Sequence, residues 1–243
     1  MKPFIRFVLP AYNEGENIVS LLDKINNLTV NHNISVVAVN DGSQDDTLFI
    51  LQSYTRFQVV TVNHLKNTGL GQTLFDGLKE AAELSGDDDV IVTMDADDTH
   101  DPSQVEAMLL VMSRDQADIV VASRFRKGAE IYGLKPWRKI LSYGAALIFI
   151  TLRPSRGLRD YTCGYRLMKA SALKKMIGQY GDQLITENGF AATAQFILRA
   201  RKMKMKFAEI PLLLYYDRKL GVSKMNILKT IQRSLMLCFR DLV

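Results

Sequence analysis

The sequence predicts an α/β protein: a mostly parallel sheet with helices on both faces. Two observations carry that expectation. In the first half, short apolar runs alternate with amphipathic stretches, the pattern of strands joined by crossover helices. The first three runs also lead into turns rich in Gly, Asn or Asp, at Asn13-Glu14-Gly15, Asp41-Gly42-Ser43 and Asn67-Thr68-Gly69-Leu70-Gly71. Turns at the carboxyl ends of parallel strands share one edge of the sheet, where open α/β sheets place their ligands.

Taken in order, residues 4–9, 34–40, 59–63, 90–95 and 119–122 are the strand candidates. The stretches 16–28, 45–54, 71–84 and 102–113 between them are the helix candidates. After residue 123 the regular alternation stops. Residues 136–152 read as helix, 162–168 as strand, 189–202 as helix and 207–215 as a last strand. In the tail, Ile227, Ile231, Leu235, Cys238 and Leu242 recur at helical spacing, while Lys229, Arg233 and Arg240 share another face. Such a basic amphipathic helix either packs on the domain or serves as a membrane anchor or docking element. The expected organisation is one domain, 1–222, with halves 1–122 and 123–222, followed by a helix over 223–243.

The run Val90-Ile91-Val92-Thr93-Met94 ends in a carboxylate cluster, Asp95-Ala96-Asp97-Asp98. Two carboxylates one residue apart repel each other unless a cation lies between them. A divalent metal carrying a diphosphate fits that position. The segment therefore points to a metal-dependent enzyme acting on a nucleotide-linked substrate. Near the first strand end, Tyr12 offers an aromatic face and Glu14 an acceptor for ribose hydroxyls or base amides. Asp41, at the second strand end, is a further candidate acceptor for a base N–H or a ribose hydroxyl.

Composition narrows the class. The chain is 47% hydrophobic and 23% charged, as a globular protein with a sizeable core should be. No apolar run approaches 20 residues, so no membrane span is expected. The N-terminus leads straight into a strand candidate, which argues against a signal peptide. The two cysteines, Cys163 and Cys238, make no disulfide framework. A cytosolic location, or the cytosolic face of a membrane, follows. Residues 1–121 carry 7 Lys+Arg against 19 Asp+Glu, a net of −12, and residues 122–243 a net of +17. That asymmetry suggests a metal-binding half joined to a half that meets an anionic ligand or membrane surface. No strand candidate is followed by Gly-x-Gly-x-x-Gly, which argues against a dinucleotide-dependent oxidoreductase.

Pro10-Ala11-Tyr12-Asn13-Glu14, Asn40-Asp41-Gly42-Ser43, Asn67-x-Gly69-x-Gly71 and Asp95-x-Asp97-x-x-His100-x-Pro102 together resemble the family 2 glycosyltransferases, which have the GT-A fold. The second half sharpens the resemblance to the polyprenyl-phosphate subgroup. It does so through Ser123-Arg124-Phe125, Arg138-x-x-x-Ser142, Thr162-Cys163-Gly164-Tyr165-Arg166 and Asp217-Arg218-x-x-Gly221-x-Ser223-Lys224.

The resemblance implies a nucleotide site at Pro10, Ala11, Tyr12, Glu14 and Asp41, with Asp95 and Asp97 bringing Mg²⁺ or Mn²⁺ to the diphosphate. It also implies that Arg124, Arg138 and Ser142 grip an acceptor phosphate. Asp97, Arg124 and Arg138 then form the catalytic set. Arginine suits phosphate because its fork makes bidentate, charge-assisted bonds. Arg138 and Ser142 stand four residues apart on an expected helix, hence on one face.

The implied reaction is inverting transfer of one sugar from a GDP- or UDP-linked donor, GDP-mannose being typical, to a polyprenyl phosphate. It would run on the membrane surface at the cytosolic face, with or without an anchoring partner subunit, and no nucleic-acid partner is implied. Gln195 stands where many relatives carry Glu. A phosphate acceptor, with a second pKa of about 6, needs no general base, so that change is tolerable. Asp160 and Glu187 are expected to be structural, and Asp98 a solvated helix-start charge. Asn40, Thr99 and Cys163 depart from the family pattern. Trp137 is a candidate for the membrane interface. No Gln-x-x-Arg-Trp motif is present, against a processive synthase. Two rivals stand beside this reading: the same fold acting on a hydroxyl acceptor, and a sugar-nucleotide-binding subunit without turnover.

Overall fold

A computed structural model describes residues 3–133, 148–218, 220, 232, 233, 236 and 237. The expected architecture is present. In chain order the strands of the main sheet are β1 (Phe4–Ala11), β2 (Asn33–Asp41), β3 (Gln58–His64), β4 (Val90–Thr93), β5 (Ile119–Ser123), β7 (Arg166–Lys169) and β8 (Phe207–Pro211). Between β5 and β7, the short β6 (Glu130–Tyr132) leaves that sheet and pairs with β9 (Leu213–Tyr215). The helices are α1 (Gly15–Asn26), α2 (Thr47–Ser53), α3 (Leu70–Glu83), α4 (Gln104–Asp115), α5 (Ala170–Tyr180) and α6 (Ala191–Lys202).

The main sheet runs β3-β2-β1-β4-β7-β5-β8. All neighbours are parallel except β7, which is antiparallel to both β4 and β5. The central strands read as continuous apolar runs because both faces are covered: Phe7, Val8, Leu9, Val36, Val37, Ala38, Val39, Ile91 and Val92 are fully buried. Helix α3 packs on β1 and β2 and meets α5 and α6. Helix α1 packs on α2, and His32, just before β2, meets Glu106 of α4, Nε2 to Oε1 at 2.8 Å.

Three sequence expectations need correction. The last strand, expected over 207–215, is two strands in two sheets. Pro211 ends β8 because it has no N–H for the ladder, and the chain then turns so that Glu130 N bonds Leu212 O at 2.8 Å and β9 pairs with β6. The strand expected over 162–168 is confined to Arg166–Lys169, because the backbone of 162 and 163 is hydrogen-bonded to Asp160 instead. Helix α5 was not anticipated, although its buried Ala170, Leu173 and Met176 repeat every third residue.

Of the helix expected over 136–152, residues 148–152 are helical and 136–147, including Trp137, Arg138 and Ser142, lie outside the described residues. The expected helix over 223–243 falls outside them except at 232, 233, 236 and 237, where Arg233 Nη1 donates to Asn188 O at 3.0 Å and Leu237 is buried. Among the described residues no helix is long and apolar enough to cross a membrane.

Candidate active site

Strand direction decides which loops meet. Strands β1, β2 and β4 are parallel, and β4 and β5 point the same way because both oppose β7. The carboxyl ends of β1, β2, β4 and β5 therefore share one edge, and the amino end of β7 arrives there too. Tyr12, Asp41, Asp95 and Arg124 follow or close those strands. Residues 160–165 enter the same edge between the acidic turn and Arg124. Two strand spacings of about 4.8 Å separate β4 from β5, about 10 Å along the edge.

The first two turns are laced together. Asn13 adopts φ +51°, a left-handed conformation its short polar side chain tolerates. Its N–H donates to Ser43 Oγ at 3.0 Å, and its Oδ1 accepts from Gln44 N at 2.8 Å. Glu14 N donates to Thr47 Oγ1 at 2.8 Å, and Glu14 Oε2 accepts from Asn17 Nδ2 at 2.9 Å. Tyr12 and Glu14 stay half-buried.

Asp41, expected to meet a base or ribose, also makes contacts within the chain. Its Oδ1 accepts from Thr68 N and Thr68 Oγ1, both at 2.8 Å, and meets His64 Nδ1 at 2.9 Å. Its Oδ2 accepts from Gly69 N at 3.0 Å. Three of these contacts fall on Oδ1 and one on Oδ2, so Oδ2 keeps a further acceptor position. Burial alone would raise its pKa, but His64 and the Thr68 and Gly69 donors prevail and lower it. Asp41 thus builds the 67–71 turn, and His64 Nε2 carries the link on to Asp76 Oδ2 at 3.0 Å.

That turn is also packed hard against the second half. A Cβ on Gly71 would lie 1.9 Å from Glu187 O. Gly71→Ala should therefore cost about 1–3 kcal/mol of stability through overpacking, read as a lower urea midpoint at unchanged slope. The 186–187 backbone is held from the other side, since Thr186 N and Glu187 N both donate to Gln195 Oε1, at 2.8 and 2.9 Å. Gln195 Nε2 donates to Thr186 Oγ1 at 2.8 Å.

The acidic turn is organised by its neighbours. Asp97 Oδ1 accepts from Thr99 Oγ1 at 2.7 Å and Thr99 N at 3.3 Å. Asp95 N donates to His100 Nδ1 at 3.3 Å. The His100 ring lies 5.1 Å from Tyr165, whose hydroxyl donates to Asp101 O at 2.8 Å. Asp98 is not a solvated charge: it is buried, with Oδ2 2.5 Å from Lys24 Nζ and 2.9 Å from Ser20 Oγ. Thr99 O accepts from Tyr215 N at 2.9 Å, and Arg218 stacks 3.6 Å over Tyr215, so the Asp217-Arg218 motif is anchored beside this turn.

Among the described residues no cluster of three or more His, Cys, Asp or Glu could hold a metal by itself. The donor set at Asp95 and Asp97 still fits Mg²⁺ or Mn²⁺. Such ions are held by one or two carboxylates, with substrate phosphates and water completing the shell.

Arg124 is gripped by Asp160, which the sequence left without a role beyond structure. Arg124 Nε donates to Asp160 Oδ2 at 2.8 Å and Nη2 to Oδ1 at 2.6 Å, a bidentate pair, with Nη2 also on Thr162 Oγ1. Asp160 is fully buried and accepts further from the N–H groups of Arg124, Thr162 and Cys163 at 3.0–3.1 Å. Burial opposes its ionisation, but the guanidinium and these donors hold the carboxyl below its ordinary value. Behind it, Glu209 on β8 accepts from Arg159 N and Asp160 N at 2.6 and 2.7 Å. Arg124 Nη1 makes no hydrogen bond among the described residues.

Beside Asp95 lies a small pocket lined by Asp95, Gly164, Arg166, Thr193, Phe196 and side chains of α3. Arg166 pairs with Thr93 on one side and Val121 on the other and is 2% exposed. Its Nη2 donates to Tyr161 O at 3.2 Å, and its buried Nε has no partner. Burial pulls its pKa down to about 10. The sequence flagged Arg166 only as part of a motif, because nothing local marks a side chain as buried.

The chain is 30% identical, over 96% of its length and 95% of the relative's, to UDP-N-acetylglucosamine–dolichyl-phosphate N-acetylglucosaminyltransferase of Methanococcus voltae. It is 31% identical to dolichol-phosphate mannosyltransferase of Pyrococcus furiosus over 85% of this chain, and spans about half that relative, 55%. Glucosyl-3-phosphoglycerate synthase of Mycobacterium tuberculosis, in complex with Mn²⁺ and UDP-glucose, superposes with a TM-score of 0.68 at 20% identity, over 98% of this chain and 78% of that one. That likeness establishes the GT-A fold. Residues 7–177 match the family described as Glycosyl transferase family 2. With the match spanning most of the sheet and its site-bearing edge, the chain belongs to glycosyltransferase family 2.

Proposed function

We propose that this glycosyltransferase moves one hexose from a nucleotide-sugar to a polyprenyl phosphate, with inversion, at the cytosolic face of a membrane. The observation that carries the reading is the pairing on one sheet edge of an acidic turn, Asp95 and Asp97, with an arginine held by a buried carboxylate about 10 Å away. The relatives named for dolichyl-phosphate transfer support the acceptor class.

Tyr12 and Glu14, with the turn built by Asp41, would hold the nucleoside, and Pro10 and Ala11 the floor beneath it. Asp95 and Asp97 would hold Mg²⁺ or Mn²⁺, which when bound supplies charge compensation for the departing diphosphate. Arg124 would present Nη1 to the acceptor phosphate, with Arg138 and Ser142 as further expected donors. A phosphate oxygen forms the new bond to the anomeric carbon. The bond from that carbon to the diphosphate oxygen breaks, and its electron pair leaves with the nucleoside diphosphate. No proton has to be removed from the ionised acceptor, in keeping with an amide at Gln195. The basic second half suits an anionic membrane surface, with or without an anchoring subunit. GDP-mannose and a UDP-hexose both satisfy this chemistry, the sequence resemblance favouring the first.

Incubation with labelled nucleotide-sugar, Mn²⁺ and either polyprenyl phosphate or free saccharides tests the proposal. The label should enter the lipid fraction with inverted configuration and one nucleoside diphosphate released per sugar. Label found only in saccharide would establish the hydroxyl-acceptor reaction in its place.

A further inference from the structure

Helix α1 carries a polar stripe along one side. Its apolar face, Ile18, Leu21, Leu22 and Ile25, is fully buried. Asn17, Ser20 and Lys24 recur at i, i+3 and i+7 and share a second face. Asn17 Nδ2 donates to Glu14 Oε2 at 2.9 Å. Ser20 Oγ and Lys24 Nζ reach the acidic turn instead, donating to Asp98 Oδ2 at 2.9 and 2.5 Å. Asp98 needs that grip. Its φ is +60°, the left-handed region that is unfavourable for a residue with a Cβ. It is 5% exposed, and its Oδ1 has no hydrogen-bond partner among the described residues. Its compensation therefore comes through Oδ2. It follows Asp97 directly and Asp95 by three residues, so left alone it would add a third negative charge to the turn. A buried carboxylate persists in such a place when a cation pairs with it. Among the described residues Lys24 is that cation.

We propose that Ser20 and Lys24 are positioning residues for the metal turn: by gripping Asp98 they hold the left-handed bend after Asp97, so that Asp95 and Asp97 are presented together to a divalent ion. The inference rests on the proposed metal-dependent transfer and adds residues of α1 to its machinery. Thr99 aims Asp97 Oδ1 from beyond the bend. Lys24 and Ser20 fix the bend itself, through a residue that would touch neither metal nor substrate. Charge points the same way. Lys24 cancels Asp98, which leaves the two charges of Asp95 and Asp97 to face one divalent cation. Helix α1 also starts beside Glu14, the proposed nucleoside contact, and its stripe ends on the metal turn. One rigid element thus sets both the nucleoside end and the diphosphate end of the donor site.

The test compares the wild type with Lys24→Met, Asp98→Asn, the double variant of those two, and Asp98→Ala. UDP and GDP are each titrated by calorimetry with and without Mn²⁺. The gain in affinity brought by Mn²⁺ is the readout, with urea midpoints measured alongside. Lys24→Met should cut the Mn²⁺ gain about tenfold, as expected of a residue standing behind a metal-binding group. Asp98→Asn should keep most of the gain, since Asn tolerates the left-handed bend and can still accept from Ser20. The double variant should recover what Lys24→Met loses, because no buried charge is then stranded. Asp98→Ala, strained at the bend and without the grip, should fall as far as Lys24→Met. A brace with no bearing on the metal would lower the urea midpoints and leave the Mn²⁺ gain unchanged, and that result would overturn the inference. So would a loss in Lys24→Met that Asp98→Asn fails to restore. Should Lys24→Met not fold, the two neutral variants decide: a gain kept by Asp98→Asn alone supports the inference, and equal gains in Asp98→Asn and Asp98→Ala overturn it. Absence of any Mn²⁺ gain in the wild type, with UDP and with GDP, would overturn the metal-dependent reading itself, and the inference with it.

Discussion

Asp97→Asn should reduce sugar transfer by about 10²–10³-fold in kcat, the loss typical when one preorganised group facing the developing charge is removed. Asp97 closes the acidic turn, and its Oδ1 is aimed by two bonds from Thr99. The amide can still accept from Thr99, so the turn should keep its shape while losing the charge that attracts a divalent ion. The fold should be little affected. Nucleoside diphosphate binding, followed by calorimetry with and without Mn²⁺, should lose its metal dependence in the variant. Thr99→Val keeps both carboxylates and the backbone bond to Asp97 but removes the hydroxyl bond that aims it, and should cost about 10-fold, as expected for a residue that orients a metal-binding group. Undiminished Mn²⁺-dependent turnover by Asp97→Asn would remove the acidic turn from the mechanism.

Arg124 and Asp160 should behave as one unit. Arg124→Ala would strand a fully buried carboxylate and should destabilise the protein by about 3–5 kcal/mol, so it confounds folding with chemistry. Arg124→Lys keeps the charge and loses the fork. It should lower kcat/KM for the lipid phosphate by about 10²-fold, the cost of a group displaced by about 1 Å, with donor KM unchanged. Asp160→Asn should give a loss of the same kind although Asp160 would never touch the acceptor. The double variant should be no worse than the poorer single one, since two residues acting through a single interaction are not additive. Losses that add in the double variant would show Asp160 acting separately, through the 160–163 loop alone. An unchanged acceptor KM in Arg124→Lys would remove Arg124 from the acceptor site altogether.

Much of the frame was legible without coordinates. The alternation that predicts β1 to β5 and α1 to α4 is a local signal, because burial on both faces makes each central strand an apolar run. The acidic turn was legible for the same reason: Asp95, Asp97 and Thr99 are neighbours in the chain, and their position after an apolar strand places them at the ligand-bearing edge. The second half resisted. Its strand β7 is only four residues long and runs against its neighbours, and residues 207–215 look like one strand until Pro211 divides them between sheets.

The sequence by itself determined the α/β class and the acidic turn, and its resemblance to a known family singled out Arg124. The first two depend on residues close together in the chain, where periodicity and spacing carry the information. Only the tertiary structure decided how those parts are used. It threads β7 between β4 and β5, and so brings Asp160 onto Arg124 across 36 residues. It ties the Asp41 carboxylate at a strand end to Thr68 and Gly69, 27 and 28 residues on. It also buries Arg166 beside Asp95 with a donor unmet. The physical reason is the same each time: a charged side chain has its meaning set by what neutralises it. In this chain those partners are brought close by the order of strands in a sheet, which local pattern does not record.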